Sequence, residues 1–245
     1  MTKISLHGFN NLTKNLSFSL YNIHFLNSEN SKHLYKAYIN KTFCADHLIT
    51  ILSKICHSIG GNILNIAKQD YEPQGASATL MISEESKPDS IVAHIDKSHL
   101  CIHTYPEEAP QDGVAIFRVD IDLSTCGLIS PLTVLNDIIS EFDADVAHID
   151  YRIRGMTRNY KGEKLFIDEN LSNISDHLSK KSLNDYQYIN HNLAAHNLFL
   201  TKIAKKDVLL ESYLFNSIEN KLTKLEQQQI ITTLQSEIKQ LFQKS

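Results

Sequence analysis

The sequence predicts an α+β fold, in which a mostly antiparallel sheet carries helices packed on one face. The clearest strand is 115–124, where Phe117, Val119 and Ile121 alternate with polar or charged side chains. This period of two is typical of a strand with one buried and one solvated face. Apolar residues at helical spacing occupy 45–59. Helices that interrupt strands lying close together in sequence favour an antiparallel sheet with helices on one face.

The remaining elements follow from the same two periodicities. Gly60-Gly61 ends the helix over 45–59, and Pro131 opens another helix with an apolar face. The polar, proline-containing segment 83–90 predicts an exposed loop. Further strands are predicted over 16–25, 62–67, 76–82, 91–95, 98–105 and 146–154.

The character of the chain changes after about residue 155. The sequence there becomes rich in Asn, Ser, Lys and Leu, and it ends in a pronounced amphipathic helix. We therefore expect a catalytic α+β core over 1–155 and a mainly helical C-terminal extension over 156–245. The extension contains no cluster of residues that indicates catalysis.

Composition limits the classes of function. The chain has 245 residues and a net charge of −4, which argues against a nucleic-acid surface because phosphate binding needs clustered Lys and Arg. No apolar run is long enough to cross a bilayer, and the N-terminus lacks the apolar core of a signal peptide. The four cysteines form no CxxC pair. We expect a cytoplasmic protein with free thiols and no membrane partner.

Reactive side chains concentrate between residues 94 and 107 and recur at STCG, 124–127. From the residues alone, three interpretations stay open. His99, Cys101 and His103 share a strand face and could bind zinc. Cys126 could act as a nucleophile with one of these histidines. The third interpretation is a solvated polar face without chemistry.

A resemblance to a known family changes this balance. It is carried by LHGFNNLTK (6–14), DYEPQGAS (70–77), DKSHLCIHTYPE (96–107), DLSTCG-ISPL (122–132, with Leu128 at the gap) and DYRIRGMTR (150–158). These segments resemble bacterial S-adenosylmethionine decarboxylase proenzymes of the larger, enterobacterial type. The pairing of KSH-x-x-x-HTYPE with STCG is specific, and the resemblance covers most of the chain.

The resemblance implies that the chain makes its own cofactor. The Ser98 hydroxyl would attack the carbonyl of Lys97 to form an ester, and His103 would remove the Ser98 α-proton. Elimination then leaves dehydroalanine, which hydrolyses to a pyruvoyl group and ammonia. The family pattern makes Ser77 a hydroxyl that assists this processing.

Cleavage between residues 97 and 98 would give a β chain of 1–97 and an α chain of 98–245. The pyruvoyl ketone would then form a Schiff base with S-adenosylmethionine and accept electrons as CO2 leaves. By the same resemblance, Cys126 donates the proton that replaces CO2, and the product supplies spermidine biosynthesis.

Substrate contacts are implied at three positions. Glu107 matches a carboxylate that binds the ribose hydroxyls, which donate two hydrogen bonds. Tyr71 matches a ring that stacks on adenine, and Phe9 is a second candidate ring.

The resemblance also implies a homo-oligomer of αβ protomers and Mg²⁺ as an activator, although it assigns no metal ligands. Two alternative functions are a processing-dead regulatory paralogue and a different pyruvoyl-dependent amino-acid decarboxylase. One difficulty is geometric: in a regular strand Ser98 and His103 point to opposite faces. We therefore expect a bulge between them, or Ser98 outside the regular pleat.

Overall fold

The computed structural model describes residues 10–83, 98–107, 109–215 and 222–243. The strands in these ranges are β1 Thr13–Phe25, β2 Asn62–Asp70, β3 Ala76–Ser83, β4 Ser98–Pro106, β5 Val114–Cys126, β6 Val146–Arg154, β7 Thr157–Arg158, β8 Lys164–Leu165, β9 Tyr186–Asn190 and β10 Leu198–Lys205. The α-helices are α1 Glu29–Thr42, α2 Ala45–Ser58, α3 Leu135–Phe142, α4 Lys180–Asp185 and α5 Lys224–Gln243. A short 3₁₀ helix, Pro131–Val134, leads into α3.

Eight of these strands form one sheet in the order β2-β3-β4-β5-β1-β6-β10-β9. Every neighbouring pair in it is antiparallel. β1 lies at the centre because it pairs along its whole length with β5 and along most of it with β6. The antiparallel sheet predicted from the sequence is therefore confirmed.

One face of the sheet carries the main hydrophobic core. Leu16, Phe18 and Leu20 of β1 point to this face and are buried with side chains of the first three helices, among them Leu48 and Ile138. The alternation seen in the sequence fixes this orientation, since every second side chain of a strand meets the helices. Helices thus cover this face, as expected.

The opposite face, which we call the open face, is polar over β3, β4, β5 and β1. Its other end is covered by α5, whose Ile230, Leu234 and Ile238 pack with Ile23 and Val146 of the sheet. The sequence predicts this C-terminal helix, but it also predicts that helices pack on one face of the sheet. In the structure α5 lies on the face away from the main core. The polar rows near the end of β4 remain uncovered by any described helix.

The segment after residue 155 ends in the expected long helix, but it also extends the sheet. β10 pairs with β6, and β9 pairs with β10. Every second residue of β10 is buried, at Phe199, Thr201 and Ile203. This is the periodicity of a strand, whereas the sequence predicts mainly helices in this part of the chain. The expected boundary at residues 155 and 156 therefore falls inside a single sheet.

Two further differences concern the helices and the loop. α1 was not predicted; it begins at a capping box in which Ser28 and Ser31 bond reciprocally. Apart from residue 83, the expected loop over 83–90 lies outside the described residues, as does the expected strand over 91–95. No helix in the described ranges has both the length and the apolar character needed to span a bilayer.

Candidate active site

Ser98 and Cys126 meet at one end of the sheet. Ser98 is the first described residue of β4 and Cys126 is the last residue of the neighbouring β5. The backbone N–H of Cys126 donates to the Ser98 Oγ across 3.2 Å. The Cys126 Sγ lies 3.9 Å from the Thr13 Oγ1 of β1. The hydroxyl and the thiol named by the sequence are thus held by adjacent strand ends.

A second group of predicted residues lies further along β4. His103 is directly opposite Ser77 of β3 and directly opposite Asp120 of β5, so the three side chains form a row on the open face. The Tyr71 hydroxyl donates to the Ser77 Oγ across 2.7 Å. The structure therefore brings together Tyr71, Ser77 and His103.

The turn that carries Tyr71 and Ser77 is fixed by Thr104, the residue after His103. The Thr104 Oγ1 accepts from the Ala76 N–H at 2.7 Å and donates to the Ala76 carbonyl at 3.2 Å. Gly75 has a φ of +102°, and a Cβ there would meet the Thr104 carbonyl at 3.1 Å. A side chain at position 75 would be strained, which explains the glycine in the DYEPQGAS motif.

The two groups are separated by the regular pleat of β4. Ser98 is opposite Ile82, which belongs to the main core, whereas His103 is opposite Ser77 on the open face. The pairing of β4 with both neighbours runs without a register shift. The bulge expected between Ser98 and His103 is therefore absent from β4. Five residues of strand put about 17 Å between the two Cα positions.

Glu107 lies beyond the opposite end of β4 from Ser98. Its backbone N–H donates to the Ile116 carbonyl at 3.0 Å, and its Oε2 accepts from the Ile116 N–H at 2.9 Å. Nine residues of strand separate it from Ser98, about 30 Å. Its role at the ribose stays a prediction, and within one chain Glu107 is too far from Ser98 to share a substrate with it.

Acidic side chains occupy the open face beside His103. The Ser17 hydroxyl donates to Asp122 at 2.5 Å, and Asp122 in turn faces Cys101 across β4 and β5. Burial, with the charge of Asp122 as a smaller cause, raises the pKa of the Cys101 thiol to about 11. The thiol therefore stays protonated at neutral pH in the metal-free chain.

The zinc interpretation of the strand histidines finds no support in this geometry. Over the described ranges, no three His, Cys, Asp or Glu side chains converge closely enough to hold a metal ion. Mg²⁺ as an activator stays an expectation without assigned ligands. Phe9 and Lys97 lie outside the described residues.

Sequence reasoning missed a buried network beside Cys126. Lys14 of β1 is 3% exposed and pairs with Asp168, 8% exposed, at 2.8 Å. The Asn10 side chain donates to Asp168 at 2.6 Å and to the Gly127 carbonyl at 2.9 Å. The sequence contains one indication of this network. Lys14 lies two residues before Leu16 in the strand, so both side chains point to the core.

Comparisons with known proteins agree with the resemblance. A sequence profile of the family described as S-adenosylmethionine decarboxylase matches residues 33–155. The S-adenosylmethionine decarboxylase proenzyme of Photorhabdus laumondii is 44% identical, and the alignment covers 99% of this chain and 97% of the relative. The proenzyme of Marinobacter nauticus is 46% identical, with coverage of 98% and 97%.

A solved adenosylmethionine decarboxylase of Aquifex aeolicus aligns with 67% of this chain and 98% of its own, at 17% identity and a TM-score of 0.37. That structural likeness is too low to add to the assignment. The sequence comparisons decide it, since both relatives match almost from end to end. The chain belongs to the S-adenosylmethionine decarboxylase family.

Proposed function

We propose that this chain is a self-processing S-adenosylmethionine decarboxylase. It cleaves itself before Ser98, converts residue 98 to a pyruvoyl group and releases CO2 from S-adenosylmethionine to form the aminopropyl donor for spermidine synthesis. The observation that carries the proposal is the contact between the Cys126 N–H and the Ser98 Oγ at 3.2 Å, in a chain of this family. This contact supports the proposal because the backbone of Cys126, whose thiol is the proposed proton donor, lies next to the residue proposed to become the cofactor.

The surroundings of Ser98 suit a carbonyl group at this position. The pyruvoyl group supplies an electron-accepting carbonyl for decarboxylation. The Cys126 N–H already points at an oxygen of residue 98 and can donate to a carbonyl oxygen there. The Cys126 thiol, held near Thr13, is the proposed acid that protonates the substrate carbon after CO2 leaves.

His103 is the proposed base of self-processing, with Ser77 assisting, yet neither can reach Ser98 of its own chain through the regular strand. We therefore propose a homo-oligomer in which the row of Ser77 and His103 on one protomer completes the site at Ser98 of another. One feature supports a partner on this face: Arg118 and Asp120 form an ion pair at 3.4 Å there, and their side chains are 40% and 30% exposed. Glu107 and Tyr71 would reach the substrate by the same route.

Complementation between two inactive chains tests this arrangement. His103→Ala retains Ser98, and Ser98→Ala retains His103, so a mixed oligomer rebuilds one complete site. Each variant expressed alone should stay uncut. Co-expressed with distinguishable tags, the His103→Ala chain should be cleaved. As the matched control, a Ser98→Ala/His103→Ala double variant should not rescue it.

Two outcomes would contradict the arrangement. If mixed oligomers form and the His103→Ala chain stays uncut, His103 does not act on a neighbouring protomer. If His103→Ala alone is cut at the normal rate, His103 is not the processing base. A single uncut chain from the natural sequence would instead favour the processing-dead alternative.

We also propose that the protein works in the cytoplasm. The four cysteines, at positions 44, 56, 101 and 126, are all free thiols. Free thiols persist in a reducing compartment. Labelling of all four by a thiol reagent after denaturation, without prior reduction, would support this location.

A further inference from the structure

The turn that follows Cys126 is tied to a distant part of the chain. Gly127 has a φ of +74° and directly follows the proposed proton donor. Its carbonyl oxygen accepts from the Asn10 amide at 2.9 Å and lies 3.4 Å from the Lys14 ammonium. On the other side, the Cys126 N–H is bonded to Ser98. The backbone around the thiol is therefore held from both directions.

Both donors to Gly127 depend on Asp168. Its Oδ2 lies 2.8 Å from the Lys14 ammonium and accepts from the Asn10 amide at 2.6 Å. Lys14 is almost fully buried, and burying a charge is costly unless an opposite charge lies beside it. Asp168 supplies that charge. The position of the Lys14 ammonium beside the Gly127 carbonyl therefore depends on Asp168, which lies 41 residues after Gly127 in the sequence.

The next residue holds the far end of the same turn. Glu169 accepts from the Ser130 hydroxyl at 2.9 Å and also from the Tyr151 hydroxyl. Burial, followed by the charge of Glu169, raises the pKa of Tyr151 far above its usual value, so the phenol remains a donor. Two consecutive carboxylates thus hold the segment from Gly127 to Ser130: Asp168 acts at Gly127 through Lys14 and Asn10, and Glu169 bonds directly to Ser130.

A purely stabilising role does not explain this choice of residues. The cost of removing two charges from water offsets much of the attraction in a buried ion pair, and apolar residues often stabilise such a position equally well. A buried ammonium held by a carboxylate can, however, donate a directed hydrogen bond to one particular backbone carbonyl. Here that carbonyl belongs to the residue next to Cys126.

We propose that Asp168 is a positioning residue: through Lys14 and Asn10 it fixes the Gly127 carbonyl, and thereby the Cys126 thiol, relative to residue 98. This inference rests on the proposed function, since the thiol's position matters only if it delivers the proton. A proton placed on the cofactor carbon instead makes residue 98 an alanine, while hydrolysis releases the substrate carbon as an aldehyde. The amino group passes from substrate to residue 98. The water used in hydrolysis equals the water released when the substrate amine condenses with the ketone, so electrons and atoms balance.

Mass spectrometry of the α chain measures such errors directly. The ratio of α chains that begin with alanine to CO2 released depends on the geometry of each working site and not on how much protein folds. Asp168→Asn should raise this ratio about tenfold or more, because a displacement near 1 Å is costly to catalysis. Asp185→Asn breaks an exposed ion pair with Lys181 in the same C-terminal segment and should leave the ratio unchanged.

A second measurement needs no cofactor. In the uncut Ser98→Ala background, Asp168→Asn should change the alkylation rate of Cys126, while the fully buried Cys56 stays protected. Labelling of Cys126 and Cys56 together would mean global loosening and would overturn the proposal. So would an unchanged alanine ratio.

The double variant Lys14→Met/Asp168→Asn removes the unpaired buried charge that could prevent folding. It should still raise the alanine ratio, because Gly127 has lost the ammonium; a normal ratio would overturn the proposal. Cys126→Ala tests the proton-donor role of Cys126 separately from the positioning role of Asp168. If it does not raise the ratio, the proposed donor is wrong; if it does and Asp168→Asn does not, only the positioning role fails.

Discussion

Ser98 and His103 lie five residues apart on β4, and their side chains leave opposite faces of the sheet. Ser98 is buried at the core side, opposite Ile82, while His103 lies in the row of polar side chains with Ser77. Direct proton transfer needs heavy atoms about 2.6–3.2 Å apart. A base and a nucleophile separated in this way cannot exchange a proton directly within one strand, which is the reason that the proposed site takes them from two chains.

Replacement of Ser98 tests the cleavage site. Ser98→Ala removes the hydroxyl that would attack the carbonyl of Lys97, so we expect a single uncut chain. Intact mass should show one species near the full 27.8 kDa in place of two fragments. Ser140→Ala, at an exposed serine on α3, is the control and should be processed normally. Two fragments of normal mass from Ser98→Ala would place the cleavage elsewhere.

Replacement of His103 should stop processing at a later stage. The ester between Ser98 and Lys97 can still form in His103→Ala, but it lacks the base for elimination. Hydroxylamine should then cleave the trapped ester and leave a fragment that ends in the Lys97 hydroxamate. Fragment masses after hydroxylamine treatment give the answer. No hydroxamate in an uncut chain would mean that His103 acts before the ester forms.

Replacement of Cys126 should separate processing from catalysis. Cys126→Ala keeps the backbone N–H that bonds to Ser98, so we expect cleavage to continue at least in part. CO2 release should fall by roughly 10²–10⁴, the usual loss for one positioned acid. Processing and CO2 release are measured in parallel on the same preparation. A variant that cleaves and decarboxylates like the natural chain would show that the thiol is only a packing residue.

Much of the fold follows from periodicity in the sequence. The alternation in β5 and the apolar spacing in α2 correctly predict both elements, because burial on one face sets the pattern. α1 escaped prediction because only Ser31, Tyr35 and Ile39 of its 14 residues are buried, which leaves a narrow apolar stripe.

The site was predicted less completely. KSH-x-x-x-HTYPE and STCG identify side chains but carry no information on which strand end faces which. The alternation rule puts Ser98 and His103 on opposite faces, and the structure keeps them there, so the expected bulge and the expected place of Ser98 outside the pleat are both wrong. The pairing of Lys14 with Asp168 joins residues 154 positions apart, and local sequence patterns do not encode such contacts. Only the parity of Lys14 in β1 indicated a buried charge.

A histidine away from the site should control the acid stability of the fold. His24 of β1 is 9% exposed and packs against the rings of Tyr35, Tyr38 and Phe215, with centroids 5.1–5.8 Å apart. Burial, followed by the charge of Lys205, lowers its pKa from 6.5 to about 4. His24 is therefore neutral in the folded protein near neutral pH.

The sign of the pH effect follows from this lowered pKa. Below pH 6.5 the unfolded chain binds a proton at His24 that the folded chain does not, so acid favours unfolding. The contribution is fully present above about pH 6.5 and is lost as the pH falls toward about 4. A lowering of this size corresponds to at most about 3 kcal/mol.

His24→Phe keeps a ring among the neighbouring rings and removes the titration. The free energy of unfolding of both proteins is measured by urea denaturation from pH 7.5 to 4.5. Over this range the loss of stability in His24→Phe should be smaller than in the natural chain, by up to about 3 kcal/mol. His24→Gln is the second variant: its absolute stability will differ, but its pH slope should match that of His24→Phe. If both variants lose stability with acid as steeply as the natural chain, His24 does not titrate on unfolding, and another group causes the acid sensitivity.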